Sequence, residues 1–225
     1  AKQFVLLDNF YVDGEVSADG HEWTMGAYAT DFVEKIWPLS YRGGKIFGYP
    51  SEGAKDLIAR PSGGYLWDKC AEAKVSYRTY GEWVTNGKRR PDGSFEDGKP
   101  TVPALEGKID PKYRAYDLEY PDVKRAERFV SELKRFEQGG DMPRMQVVRI
   151  GNDHTAGTRV GMPTVTAMVA DNDLALGMIV EAVTKSKFWK ETAIFVIEDD
   201  TQNGPDHVDA HRSVALVVSP YTKRK

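Results

Sequence analysis

The stretch EDDTQNGPDHVDAH, Glu198 to His211, holds five carboxylates and two imidazoles in fourteen residues, with no Lys or Arg among them. Asp199 and Asp200 are adjacent, and two carboxylates that close repel unless a cation or a shared proton relieves them. His207 and His211 are four residues apart, a spacing that shares a side in a helix and in a strand. Gly204 and Pro205 favour a loop here, so the spacing permits convergence without requiring it. A second Asp–His pair, Asp153 and His154, stands in GNDHT. Mixed Asp and His donors without Cys suit Zn²⁺ or Mn²⁺, while Ca²⁺ would use the carboxylates and leave the imidazoles idle. One or two divalent cations would neutralise this concentration of charge. If Asp199, Asp200 and His211 share an ion, their side chains must converge near Ser17 and the Asp153–His154 loop.

Ser17 stands in GEVSADGH, four residues before His21. A serine in a Gly/Asp loop is commonly a turn former. A metal beside its hydroxyl would lower the hydroxyl pKa and make it a nucleophile at neutral pH. No G-x-S-x-G elbow and no P-loop occurs, which argues against a serine triad and an NTPase.

The elements that must position these residues are legible in outline. QFVLLDNFYV suits a buried parallel strand. Gly14 to Gly20 reads as a turn-rich loop, and HEWTMGAYATDFVEKIW as a helix that stops at Pro38. A helix is expected in GGYLWDKCAEAK and a strand in VSYRTYGEWV. Residues 85–120 carry many Gly, Pro and charged residues with little periodicity, and are expected to form a long surface insertion. YPDVKRAERFVSELKRFEQGG follows as an amphipathic helix on Val123, Ala126, Val130 and Leu133, capped by Asp122 and stopped at Gly139. Then come a strand in MQVVRIG, a helix opened by Pro163, a further helix in DLALGMIVEAVTKSKFW, and strands in TAIFVI and RSVALVV. Such alternation predicts one α/β domain over residues 1–225, with a doubly wound, mainly parallel sheet sandwiched by helices. Ligands bind beyond the C-terminal strand ends of such sheets, which groups Asp8–His21, Asn152–Thr155 and Asp199–His211 on one rim. All four histidines of the chain, His21, His154, His207 and His211, fall in these three segments.

Composition narrows the partners. With 31 basic and 34 acidic side chains the net charge is −3, which gives no support for nucleic-acid binding driven by bulk charge. Cys70 is the only cysteine, so no intrachain disulfide is available. No apolar run approaches the roughly 18 residues that span a bilayer, and no signal-peptide pattern opens the chain.

VLLDNFYVDGEVSADGHEWTMGAYATDFVEK, RIGNDHTAG and FVIEDDTQNGPDHVDAHRSVALVVSPYTKR closely resemble the phosphoesterase family of the alkaline phosphatase superfamily. Within it, they are most similar to bacterial proteins in which this domain follows a β-propeller. The resemblance implies an alkaline-phosphatase-like fold and a metal-dependent hydrolase that cleaves a phosphate mono- or diester through a phosphoserine. Ser17 then matches the nucleophile, Asp199 and Asp200 the metal pair at a strand end, and His211 the late histidine ligand. Asp153 and His154 match further ligands more loosely, and His21 and His207 fall where a phosphate contact or additional metal ligand is expected. The implied substrate is a small phosphoester or a phospholipid. The implied location is periplasmic or secreted, with a linked β-propeller as partner. Relatives carry an earlier strand with an acidic or amide ligand, so the fold is expected to lack its first strand and the chain to be part of a longer protein. The alternative from another class is a non-catalytic metal- or phosphate-binding domain that supports a partner domain.

Overall fold

The structure is a computed structural model that describes residues 4–41, 48–201 and 211–223. The chain divides into two compact units, Ala1–Glu72 with Lys190–Lys225, and Ala73–Trp189. Both mix helices with small sheets.

In the first unit, three strands of β-branched and aromatic residues form a sheet: β1 (Val5–Tyr11), β6 (Ile194–Ile197) and β7 (Arg212–Val218), in the order β1-β7-β6. Both pairings are antiparallel. The parallel β1 expected from the sequence is therefore corrected. Strands β6 and β7 follow each other with a Gly-Pro-containing connection and no predicted crossover helix, the condition under which antiparallel pairing is available. The β1–β7 register shifts between Leu7 and Phe10, and Arg212 Nε donates to the Asp8 carbonyl there at 2.8 Å. This guanidinium serves an acceptor that the irregular ladder would otherwise leave out.

The run expected to be one helix from His21 to Trp37 is two. Helix α1 (Ser17–Gly26) starts earlier and ends where Ala27 takes a left-handed conformation, φ 53°, its N–H bonded to the Trp23 carbonyl. Helix α2 (Asp31–Tyr41) starts after Thr30, whose hydroxyl accepts from Val33 N. It passes through Pro38 instead of stopping there, although a proline has no N–H to give the Glu34 carbonyl, and only three helical residues follow it. Two short helices, α3 (Asp56–Ala59) and α4 (Leu66–Glu72), follow. Met25, Val33, Tyr65 and Trp67 are buried here, with the Tyr65 and Trp67 rings 4.9 Å apart.

In the second unit β2 (Tyr77–Tyr80) and β5 (Met145–Val148) pair in parallel, as alternating strands and helices predict. A two-residue pair, β3 (Val84–Thr85) with β4 (Lys99–Pro100), is antiparallel. Among the described residues the parallel pairing is that of β2–β5 with an isolated parallel bridge from Thr79 to Ile109, so the described sheets are small and differ in direction, not one mainly parallel sheet. The expected strand through Val84 breaks at Gly81, φ 87°, and at Trp83, φ 52°, whose fully buried indole offsets the strain of that backbone.

Helix α5 (Asp122–Gly139) matches its sequence pattern, with Ala126, Phe129 and Leu133 buried and Gly140 left-handed as the stop. The two helices expected after Pro163 are one, α6 (Val165–Lys185), capped by the Thr164 hydroxyl and without a breaker at Asp173. Tyr80 stacks edge-on with Tyr113 and Phe129 at the centre of this unit. The stretch 85–120 was expected on the surface, yet it supplies Val102, Leu105, Ile109, Tyr113 and Ala115 to the buried set. No helix among the described residues is long and apolar enough to cross a membrane.

Arg125 explains how an aperiodic stretch is held in place. Its guanidinium is buried and donates to the carbonyls of Arg114, Ala115, Asp117 and Tyr120 and to Asp122 Oδ1, at 2.7–2.9 Å. A planar fork with five donors meets five acceptors, which an ammonium cannot do. Arg125→Ala should therefore lower stability by about 3–5 kcal/mol, because it strands a buried carboxylate and several carbonyls. Arg125→Lys should recover little of this. Urea unfolding of the full chain followed by tryptophan fluorescence checks both, and a near-neutral Lys variant would contradict the assignment.

Candidate functional site

Ser17 is the first residue of α1, and Asp199 and Asp200 lie just beyond the end of β6. Ser17 and His21 are one helical turn apart and so share a face. Ser17 Oγ donates to Asp200 Oδ2 at 3.0 Å, and His21 Nε2 lies 3.3 Å from Asp199 Oδ2. Consecutive carboxylates point to opposite sides in an extended strand, but the chain bends at Asp199 and both reach the same helix. Asp200 and His21 are each 5% exposed, so the pairs sit in a partly desolvated setting.

The close approach depends on two glycines. A Cβ on Gly20 would lie 2.1 Å from the Asp199 carbonyl oxygen, and one on Gly14 would lie 2.7 Å from the same atom. No side chain fits at either position without pushing the β6 end off α1.

Asp19 starts the helix. Its carboxylate accepts from the backbone N–H groups of Glu15 at 3.0 Å, Val16 at 2.9 Å and Gly20 at 3.1 Å. Burial raises its pKa, and those backbone donors partly oppose the rise. Tyr41, from the last turn of α2, accepts from Ala18 N at 3.2 Å. Burial pushes the Tyr41 phenol up to about 12, and the charges of Asp200, Asp199 and Asp19 add to the rise. That phenol therefore stays protonated beside three carboxylates.

Glu22 faces the other way, into the unit. It is fully buried and accepts from Ser51 Oγ at 2.8 Å and Tyr65 Oη at 2.9 Å. Burial moves its carboxyl from 4.5 up to about 7, against the two hydroxyls and the charge of His21, which lower it.

The remaining expected residues stand elsewhere. His211 precedes β7 and sets its Nε2 2.9 Å from Glu15 Oε1, and its carbonyl accepts from Val12 N. Asp199, Asp200 and His211 thus take three different neighbours, His21, Ser17 and Glu15. His207 lies outside the described residues. Asp153 and His154 belong to the second unit, exposed on the 3-10 turn Asn152–His154 that follows β5. Asp153 Oδ1 accepts from Asn172 Nδ2 at 3.1 Å, and His154 Nδ1 lies 3.0 Å from the carbonyl of Thr155. The neighbouring Asn152 is buried, and its Oδ1 has no hydrogen-bond partner among the described residues.

Sequence reasoning missed Asp19, Glu22, Tyr41 and Glu15. Acids are enriched in the first turn of a helix, a signal that could have exposed Asp19 had the helix been started at Ser17. Tyr41 carries no such signal, since α2 was expected to end at Pro38.

No protein-family model matches the sequence, and no curated protein matches it. A solved structure does: the crystal structure of a protein in the alkaline phosphatase superfamily from Vibrio parahaemolyticus, with a TM-score of 0.59 and 14% identity. The two are alike in fold. The match covers 100% of this chain and 53% of that one, so the chain spans about half the length of the structure it matches.

Two outcomes follow from the geometry. Gly20→Ala should destabilise the chain by about 1–3 kcal/mol or more, because the new methyl must displace backbone. Gly63→Ala has nothing within 4 Å of its added Cβ and should stay within about 0.5 kcal/mol of wild type. Equal stability of the two variants in urea would refute the close approach. The second outcome concerns pH. The Glu22 carboxyl titrates near 7 in the folded chain against 4.5 ordinarily, so the folded state retains a proton that the unfolded state gives up. Its contribution to stability therefore falls as pH rises from about 4.5 to about 7, a loss of roughly 3 kcal/mol at most. Glu22→Gln should gain stability relative to wild type across that window and hold a constant advantage above it. A constant difference across the window would remove the assignment.

Proposed function

We propose that the chain is a metal-dependent phosphoric ester hydrolase with Ser17 as nucleophile, acting on a phosphate mono- or diester. The observation that carries this reading is the Ser17–Asp200 hydrogen bond at the start of α1. A hydroxyl there has an acceptor for its proton in Asp200 and a helix N-terminus whose N–H dipoles favour negative charge beside it. The fold likeness to an alkaline phosphatase superfamily protein supports the reaction class.

In donor type, though not in convergence, the residues suit a divalent cation of the Zn²⁺ or Mn²⁺ kind. Asp199, Asp200, His21 and His211 are oxygen and nitrogen ligands with no thiolate, and Asp200 and His21 are buried where uncompensated charge is costly. In the first unit Asp200 rests on Ser17, Asp199 on His21 and His211 on Glu15, so an ion would have to draw these donors together. Asp153 and His154 offer a carboxylate and an imidazole in the second, beside the orphan oxygen of Asn152. One or two such ions, when bound, would supply Lewis-acid stabilisation of phosphoryl and leaving-group oxygens.

The chain's own residues do the rest. Asp200 orients the Ser17 hydroxyl and takes its hydrogen bond, His21 is oriented by Asp199, and Gly14 and Gly20 keep the two pairs in register. Attack by Ser17 Oγ on phosphorus displaces the alcohol and leaves a phosphoserine, which water then hydrolyses. His207 is proposed as a further phosphate or metal contact. The substrate class extends to small phosphoesters and phospholipids. An extracytoplasmic location and a β-propeller neighbour belong to the same reading and rest on the sequence resemblance.

The test is turnover of a chromogenic phosphate ester by the chain, with Zn²⁺ or Mn²⁺ added and then removed by a chelator. Ser17→Ala should lower kcat by roughly a hundredfold or more, and Asp200→Asn should weaken metal binding. Chelator-insensitive turnover, or full activity in Ser17→Ala, would reject the mechanism. Metal uptake without turnover, in this chain and in an N-terminally extended one, would favour the non-catalytic binding domain.

A further inference from the structure

Tyr41 closes α2 beside the start of α1, and the mechanism above gives it no task. Trp37 and Tyr41 are one helical turn apart, and their rings meet edge-on at 6.2 Å and 89°, which fixes where the phenol stands. Its Oη accepts the N–H of Ala18, the residue after Ser17, at 3.2 Å. A phenol also has one hydrogen to donate, and among the described residues that hydrogen has no acceptor. Tyr41 is 43% exposed, so an incoming ligand can meet it.

The charges around this phenol bear on any phosphate ester. Asp200, Asp199 and Asp19 are close enough to oppose its ionisation, and each would also repel an anionic phosphoryl group. A lysine in this place would pair with one of those carboxylates. A neutral O–H does not, and it donates to a phosphoryl oxygen while standing among acids. Burial and the same acids keep the proton on Oη up to about 12. In phosphoryl transfer the charge spreads over the three equatorial oxygens, and catalysis depends on donors already placed at them.

We infer that Tyr41 is a catalytic residue: its phenol O–H donates to a non-bridging oxygen of the phosphoryl group that Ser17 attacks. The bond from Ala18 N sets Oη one residue from the nucleophile, and Trp37 sets the ring that carries it. No bond to Tyr41 forms or breaks, and its proton stays on Oη throughout. The inference rests on the reading of Ser17 as the nucleophile of a phosphate ester.

The experiment is the pH dependence of chromogenic phosphate ester turnover, with Zn²⁺ or Mn²⁺ supplied. It compares wild type, Tyr41→Phe and a chain with a ring-fluorinated tyrosine at position 41. Near-UV circular dichroism shows whether Tyr41→Phe keeps its packing. A folded Tyr41→Phe should lose roughly 100- to 1000-fold in kcat with KM little changed, the mark of a donor aimed at the transition state. Fluorine makes the phenol ionise at lower pH but leaves its oxygen as an acceptor for Ala18 N. A donor role therefore moves the alkaline loss of kcat to lower pH than in wild type. A brace that only accepts from Ala18 N survives ionisation and leaves that limb where it was. If Tyr41→Phe does not fold, the fluorinated chain alone decides. Wild-type kcat in a folded Tyr41→Phe, or a wild-type pH profile in the fluorinated chain, would overturn the inference and leave the Ser17 reading standing. A wild-type chain without turnover would overturn both.

Discussion

One steric fact governs the candidate site: the carbonyl oxygen of Asp199 rests on the bare Cα of Gly20, with Gly14 beside it. Everything chemical in the first unit follows from that approach. Ser17 reaches Asp200 because the strand end is close to the helix start, and His21 reaches Asp199 because it is one turn further on the same face. Backbone-to-backbone proximity of this kind costs no side-chain entropy, so the pairs are held by main chain and not by flexible stems.

Each unit has a helix whose first turn carries the same physical device. Asp19 in α1 and Asp122 in α5 are both fully buried, and each accepts from two successive backbone N–H groups of a neighbouring loop. A buried carboxylate is unfavourable alone, but several N–H donors together compensate it and fix the loop that supplies them. In α1 the loop held this way precedes Ser17. In α5 it leads into Asp153 and His154. Candidate chemistry in each unit thus stands next to an aspartate that is itself occupied with structure.

Much of this was legible in the sequence where hydrophobic period carried the information. The stripe of α5 and the strand runs of β1, β2, β5, β6 and β7 were visible as patterns, and the Ser17 and Asp199–Asp200 segments could be singled out by residue type. Strand direction was not visible, because the expected alternation was extended to β1, β6 and β7, which pair antiparallel. The break at Ala27 was missed because an alanine gives no warning of a left-handed conformation. The buried residues of 85–120 escaped because they occur singly between Gly, Pro and charged residues. What holds them is polar: Arg125 to four carbonyls, and Arg128 to Asp110 at 2.7 and 2.9 Å. Hydropathy patterns cannot report bonds of that kind.

The Arg125 fork has a consequence for how this chain tolerates change in length. Residues 114–120 hang from one guanidinium by carbonyls at four separate positions. An inserted or deleted residue there shifts at least one carbonyl out of reach, so sequence drift in this stretch is confined to substitution. The exposed tip at 90–95 is closed by its own local bonds, Arg90 N to Ser94 O and Ser94 N to Asp92 Oδ1. A loop that closes on itself can lengthen without disturbing its base. A tag or a grafted peptide therefore has a natural point of entry at Gly93 and none at Asp117.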